Sequence, residues 1–152
     1  MANHSMEITL RPFRLSDADD FLIYAGDENV TRFTRLNTFT SKQEAISYIQ
    51  NRCHRTGEED GCRAEVGYAL ARDYWGKGIA TRAVKLAISD GFKQFPDLLR
   101  IEAHVEVDNK PSQRVLEKLG FQKEALLGKF TYNKGALRDL FLYSLLSTDF
   151  IL

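Results

Sequence analysis

The spacing of hydrophobic positions changes several times along the chain, and each change marks an element. Ile8-Thr9-Leu10-Arg11-Pro12 alternates and predicts a short first strand. Ser16 or Asp17 caps a helix in which Phe21, Leu22 and Tyr24 are apolar, and Gly26 and Asp27 end it. Thr40 or Ser41 opens a second helix, with Glu44 in the capping-box position relative to Ser41 and Ala45, Ile46, Tyr48 and Ile49 as its buried face. His54 to Gly61 is polar, holds Glu58, Glu59 and Asp60, and reads as a loop. Arg63 to Leu70 reads as a strand, Trp75-Gly76-Lys77-Gly78 as a glycine-rich turn. Ile79, Ala80, Ala83, Val84, Leu86, Ala87, Ile88 and Phe92 then recur at helical spacing up to Pro96 and Asp97.

Arg100 to Val107 alternates almost strictly and predicts the clearest strand. Pro111 suits a helix start, Val115, Leu116 and Leu119 its buried stripe, and Gly120 its end. Phe121 to Leu146 reads as two strands joined at Asn133-Lys134-Gly135. The order strand, two helices, strand, helix, strand, helix, strand, strand implies one α+β domain over residues 1–152, a mixed sheet with helices packed on it.

Composition narrows the function only by exclusion. Of 152 residues, 21 are Lys or Arg and 21 are Asp or Glu, a net charge of +0 that argues against a nucleic-acid binder with a broad basic surface. No apolar run approaches the roughly 20 residues that span a bilayer. Met1 to Met6 has no apolar signal-peptide core, so a cytoplasmic or nuclear setting is expected. Cys53 and Cys62 are expected as reduced thiols, and Cys53, His54, His4 and His104 lack zinc spacing, so no metal is expected.

The main chemical signal is strand, glycine turn, helix. A helix start leaves backbone N–H groups without internal partners, and Gly76 and Gly78 let a phosphate approach them. Lys77 and Arg82 add positive charge nearby. Taken alone, a structural turn is an equal reading of such a glycine pair. Neither the Walker pattern nor the dinucleotide fingerprint fits the spacing.

Three segments in order carry a family resemblance: Glu65-Val66-Gly67-Tyr68 with the turn through Ala80, Asn109-Lys110-Pro111-Ser112, and Glu117-Lys118-Leu119-Gly120-Phe121. Together they resemble the GNAT superfamily of N-acetyltransferases, in particular the ribosomal-protein N-terminal acetyltransferase (Rim) type. The resemblance implies a mostly antiparallel sheet flanked by helices, with acetyl-CoA as cofactor. The pyrophosphate would sit on the amides of Trp75, Gly76, Lys77, Gly78, Ile79 and Ala80, with Thr81 adjoining. The pantetheine arm would run along the strand through Tyr68 and Leu70, in a gap between this strand and Arg100–Val107. Trp75 departs from the Gln or Arg that often opens this turn.

The same resemblance implies roles in catalysis. Glu65 is the first candidate base, against the plainer reading of a surface carboxylate paired with Arg63. Glu102 and His104 share a strand face and are candidates for a water relay, against the plainer reading of a solvent-facing strand side. Asn109 would contact the pantetheine arm. Where many members place a thiolate-protonating Tyr, this chain has Leu116, which leaves Ser112 or water for that role; Asn109 and Ser112 also read simply as helix caps. The implied acceptor is a primary amine, of a peptide or protein rather than a small molecule.

One stretch departs from the family pattern. About a dozen polar residues, Cys53 to Arg63, stand where two central strands are expected, too few at roughly 3.3 Å per residue. The usual second and third strands are therefore expected to be absent. The Glu65 strand would then be a sheet edge, open to pairing with a second copy of the chain as a homodimer. A rival reading follows: a non-catalytic, truncated relative that binds CoA or only forms complexes.

Overall fold

The computed structural model describes residues 7–52 and 61–150. Helix α1 (Ala18–Ala25), a single turn α2 (Glu28–Thr31) and helix α3 (Lys42–Arg52) form an N-terminal layer. There follow strand β1 (Arg63–Glu65), helix α4 (Ile79–Gln94), strand β2 (Arg100–Glu106), helix α5 (Lys110–Lys118), and strands β3 (Gln122–Asn133) and β4 (Ala136–Leu146). The strands make one four-stranded sheet in the order β1-β2-β4-β3. β1 is parallel to β2, and the β2–β4 and β3–β4 pairs are antiparallel. This is the expected mixed, mostly antiparallel α+β sheet, and the described residues contain no strand between α3 and β1.

The alternation in β2 sorts its side chains as the sequence implies. Ile101, Ala103 and Val105 are buried against Val84 and Ile88 of α4, Leu116 of α5, and Tyr143 and Leu145 of β4. Leu116 is fully buried, which for a leucine is worth about 1.5–3 kcal/mol. The stripe predicted on α4 is narrower than expected, because Leu86 faces outward at 39% exposure. The opposite face of β2 carries Arg100, Glu102, His104 and Glu106.

The N-terminal helices have a separate core. Ala18, Phe21 and Ala25 of α1 pack on Ala45 and Ile49 of α3, with Tyr24, Phe39 and Tyr48 around them. Phe21 is its centre, with ring contacts to Phe13, Tyr24, Phe39 and Tyr48. The expected capping box forms in part at α3: the Glu44 N–H donates to Ser41 Oγ (3.3 Å), but its carboxylate accepts the N–H of Thr40 (2.7 Å), one residue before the cap.

The expected first strand, Ile8–Pro12, does not form. These residues are coil and mostly exposed. Alternation makes a strand only where a neighbouring strand offers a ladder, and among the described residues no strand pairs with it. The last two strands join as predicted. Lys134 (φ 49°) and Gly135 (φ 77°) make a tight turn with both central residues left-handed, which suits a right-twisted hairpin.

Candidate active site

The glycine turn is built as the sequence suggests. After a short 3-10 turn, Arg72–Tyr74, both Gly76 and Gly78 take a φ of +72°, and Gly78 caps α4 in the left-handed conformation. No side chain caps this end. The first intrahelical bond runs from the Arg82 N–H to the Gly78 carbonyl (3.1 Å), so the N–H groups of Ile79, Ala80 and Thr81 have no helical acceptor. A Cβ built on Gly76 or Gly78 meets nothing within 4 Å, so the turn faces open space.

Trp75 differs from the expectation. Its N–H donates to the Arg72 carbonyl (3.0 Å) and its indole Nε1–H to the Leu70 carbonyl (2.7 Å). It therefore has no free N–H to offer a phosphate, and it occupies the Leu70 carbonyl. The free amides begin at Gly76. Arg72, just upstream, is clamped by Asp27 through two bonds of 3.0 and 2.9 Å. Hydrogen bonds from Asn29, with Arg72 next, hold the Asp27 carboxyl below its usual pKa. This pair ties the N-terminal layer to the start of the turn.

The predicted strand Arg63–Leu70 is only partly a strand. Its ladder to β2 ends where the Val66 N–H donates to the Glu102 carbonyl (2.9 Å). Beyond that bond the two segments part. A cavity of about 670 Å³ opens at the fork. Because the ladder is open there, residues of both sheet faces reach it: Glu65 and His104 from one, Tyr68 from the other, with Asn109 and Ser112 at the start of α5.

Several sequence candidates meet in this cavity. His104 Nδ1 lies 3.1 Å from Glu65 Oε1, across the β1–β2 pair. The His104 ring stacks on Phe130 with centroids 5.5 Å apart and planes within 5°. The Glu65 carboxylate thus has His104 as a partner. Asn109 caps α5, its side chain accepting the Ser112 N–H (3.3 Å). The Tyr68 hydroxyl sits 2.9 Å from Ser112 Oγ and donates to the Ser112 carbonyl (3.1 Å). Burial, more than the bond to Ser112, shifts Tyr68 and raises its pKa, which keeps the phenol protonated.

Glu102 does not join the group. Its carboxylate accepts from Arg100 Nε (2.5 Å), and Arg100 also makes two bonds to Glu124. Of the two residues offered for a relay, Glu102 is bonded to Arg100, and His104 has Glu65 as its partner. The sequence reading placed no role on Glu106, which is 9% exposed on the cavity wall and accepts from Asn133 Nδ2 (2.6 Å). Nor did it foresee the Tyr68 hydroxyl bond. The one signal for Glu106 is its parity with His104 on an otherwise strict strand. Among the described residues no cluster of His, Cys, Asp and Glu suits a metal. No helix among them is long and apolar enough to cross a membrane. Cys53 and His54 lie outside the described residues, and Cys62 is a free thiol.

The arrangement holds a carboxylate–imidazole pair in a cleft between parted strands, and an uncapped helix start further along the same segment. A family model described as an acetyltransferase (GNAT) domain matches residues 52–122. An uncharacterized N-acetyltransferase p20 of Bacillus licheniformis is 36% identical over 174 positions, covering 97% of each chain. That alignment is longer than the 152 residues here, so p20 has residues with no counterpart in this chain. Among solved structures, spermidine N-acetyltransferase from Vibrio cholerae, in complex with CoA and spermine, superposes with a TM-score of 0.79 at 19% identity, over 93% of this chain and 96% of that one. The ribosomal-protein-S5-alanine acetyltransferase of Vibrio fischeri superposes with a TM-score of 0.71 at 26% identity, over 93% and 94%. With near-complete coverage of p20 at that identity, the chain belongs to the GNAT family of acetyltransferases.

Proposed function

We propose that this protein is an N-acetyltransferase that moves an acetyl group from acetyl-CoA to a primary amine of a peptide or protein. The carrying observation is the fork after Val66, where the β1 ladder ends and a cavity lined by Glu65, His104, Asn109 and Ser112 begins. The residues suit the cofactor. The N–H groups from Gly76 to Thr81 would hold its pyrophosphate, helped by the positive end of the α4 dipole. The open backbone after Val66, through Tyr68, would take the pantetheine arm as an added strand, with Asn109 beside it. Bound acetyl-CoA supplies an activated acetyl group on a thiolate leaving group.

The chain's own residues supply the rest. An ammonium must lose a proton before its nitrogen attacks, and in this reading the transfer depends on the Glu65 carboxylate, which contacts His104. The leaving sulfur needs a proton donor, and Ser112, backed by the Tyr68 hydroxyl, stands at the start of α5. No covalent enzyme intermediate is needed once both reactants share the cleft. Arg11 and Arg35 line the cavity together with Glu65 and Glu106.

Glu65→Gln tests this role. The rate of acetyl transfer should fall while CoA affinity stays, read by thiol release and isothermal titration. Equal activity across pH removes Glu65 from the mechanism. A second reading, CoA binding without transfer, is favoured by the length gap against p20. In either reading β1 is the outermost strand, and a second copy of the chain is the partner that would pair with it. Sedimentation velocity decides this last point, since a strict monomer excludes edge pairing.

A further inference from the structure

We infer that Nε2 of His104 takes the proton from the acceptor ammonium, and that Glu65 acts through this imidazole as a positioning residue. The inference rests on the acetyl-transfer reading of the cleft. Glu65 and His104 flank the last bond of the β1–β2 ladder, and both line the cavity that opens beyond it. A carboxylate only accepts hydrogen bonds, so the 3.1 Å contact requires the hydrogen on His104 Nδ1. In the neutral ring the lone pair is then on Nε2. Phe130, stacked flat against the ring, fixes its plane. The Glu65 side chain is 62% exposed and that of His104 21%, so the imidazole forms the cavity wall and the carboxylate anchors it from the solvent side.

The other charges around His104 are committed elsewhere or stand further off. On its own strand Glu102 pairs with Arg100, and Glu106 accepts from Asn133 with Arg138 at 3.9 Å. From the N-terminal layer Arg11 pairs with Asp17, and Arg35 lines the same cavity. The facing residues of β3 and β4, Phe130 and Leu142, are uncharged. Glu65 is therefore the charge in direct contact with the ring.

Protons and bonds balance as follows. The acceptor ammonium gives one proton to Nε2, and the resulting imidazolium is held by the Glu65 carboxylate. The neutral nitrogen forms the new C–N bond as the C–S bond breaks. Its surplus proton goes to the departing sulfur, and the imidazolium returns its own to water.

The test begins on the free enzyme. Long-range ¹H–¹⁵N spectra of the imidazoles are recorded against pH for wild type and Glu65→Gln, with His104 assigned by the signal missing in His104→Gln. The expected result is an Nδ1–H tautomer in wild type and a mixture of tautomers in Glu65→Gln, because a carboxylate only accepts the Nδ1 hydrogen whereas an amide can also donate. An Nε2–H tautomer in wild type, or a tautomer unmoved by Glu65→Gln, overturns the inference. With a free-amine peptide as acceptor, kcat/KM should show an acid limb. In His104→Gln that limb should vanish, with a rate about 100-fold lower. A limb that persists in His104→Gln and disappears in Glu65→Gln makes Glu65 the direct base and sinks the proposal. The spectroscopic arm needs no acceptor, so a failure of acetyl transfer itself is distinguishable from a failure of the pair.

Discussion

Replacing Gly78 by alanine separates two effects that a glycine turn usually confounds. Gly78 has a φ of +72°, a conformation that disfavours any side chain by roughly 1–2 kcal/mol. The new Cβ meets nothing within 4 Å, so no steric term adds to that strain in the free protein. Gly135, in the β3–β4 turn, offers a matched control: its φ is +77° and its Cβ site is equally open. Both variants should therefore lose similar stability, about 2–4 °C in melting temperature per kcal/mol for a chain of this size. They should differ in cofactor binding. If the pyrophosphate rests on the amides after Gly76, the methyl group of Gly78→Ala stands where phosphate must approach. CoA affinity should fall at least about tenfold, or about 1.4 kcal/mol, while Gly135→Ala binds as wild type. Differential scanning calorimetry and isothermal titration with CoA read the two effects separately. Equal melting losses with wild-type CoA affinity in Gly78→Ala would refute the amide cradle. A much larger melting loss at Gly78 than at Gly135 would refute the claim that strain alone acts there.

Other consequences can be checked more briefly. Tyr68→Phe removes the hydroxyl bonded to Ser112 and should destabilise by about 1 kcal/mol in urea unfolding; an unchanged midpoint would mean that the bond does not form in solution. Hydrogen bonds from Arg100, then Ser144, hold the Glu124 carboxyl at about 2 instead of 4.5. A lowered folded-state pKa gives stability that is present above the unfolded value and is lost as pH falls through the folded one. Melting temperature should therefore drop between about pH 4.5 and 2, and Glu124→Gln should flatten that part of the profile. Phe21→Ala should destabilise the N-terminal helices by about 3–5 kcal/mol, raising amide exchange across α1 and α3 while β2 and β4 stay protected.

What the sequence made legible is local. The strict alternation of β2, the Pro and Gly that bound α5, and the Asn-Lys-Gly turn of the last hairpin each have their cause within a few residues. The glycine turn is legible for the same reason, since left-handed backbone at Gly76 and Gly78 needs no distant partner. Ile8–Pro12 failed because a strand also needs a neighbour, which alternation cannot supply. The length of β1 failed similarly: Val66 to Leu70 has strand-like residues, yet its ladder to β2 stops at the Val66–Glu102 bond. In the site, Glu65 and His104 were each legible as polar residues on known strand faces. Their contact was not, because it depends on a parallel register, Glu65 opposite Glu102, that brings His104 one step further along. The sequence offered Glu102 and His104 as partners by parity alone, and a nearby arginine settled the matter otherwise.

The two cores bear on how the cleft is divided between the layers. Among the described residues, every member of the sheet core lies at Ala64 or later, and every member of the helical core lies between Ala18 and Ile49. Segments missing relative to p20 therefore need not break either core. The named links between the layers are the Asp27–Arg72 clamp, the bond from Lys134 to the Leu36 carbonyl, and the shared cavity wall. The residues that would hold the cofactor belong to the sheet core and its α4 and α5 caps. The cavity wall facing the reacting amine is different: Leu10, Arg11, Phe13, Tyr24 and Phe33 to Leu36 come from the N-terminal layer. If the sheet core and its α4 and α5 caps hold the cofactor, substitutions in the N-terminal wall of the cavity should change the choice of amine while leaving CoA affinity near that of wild type, and a matching loss of CoA affinity would refute this division.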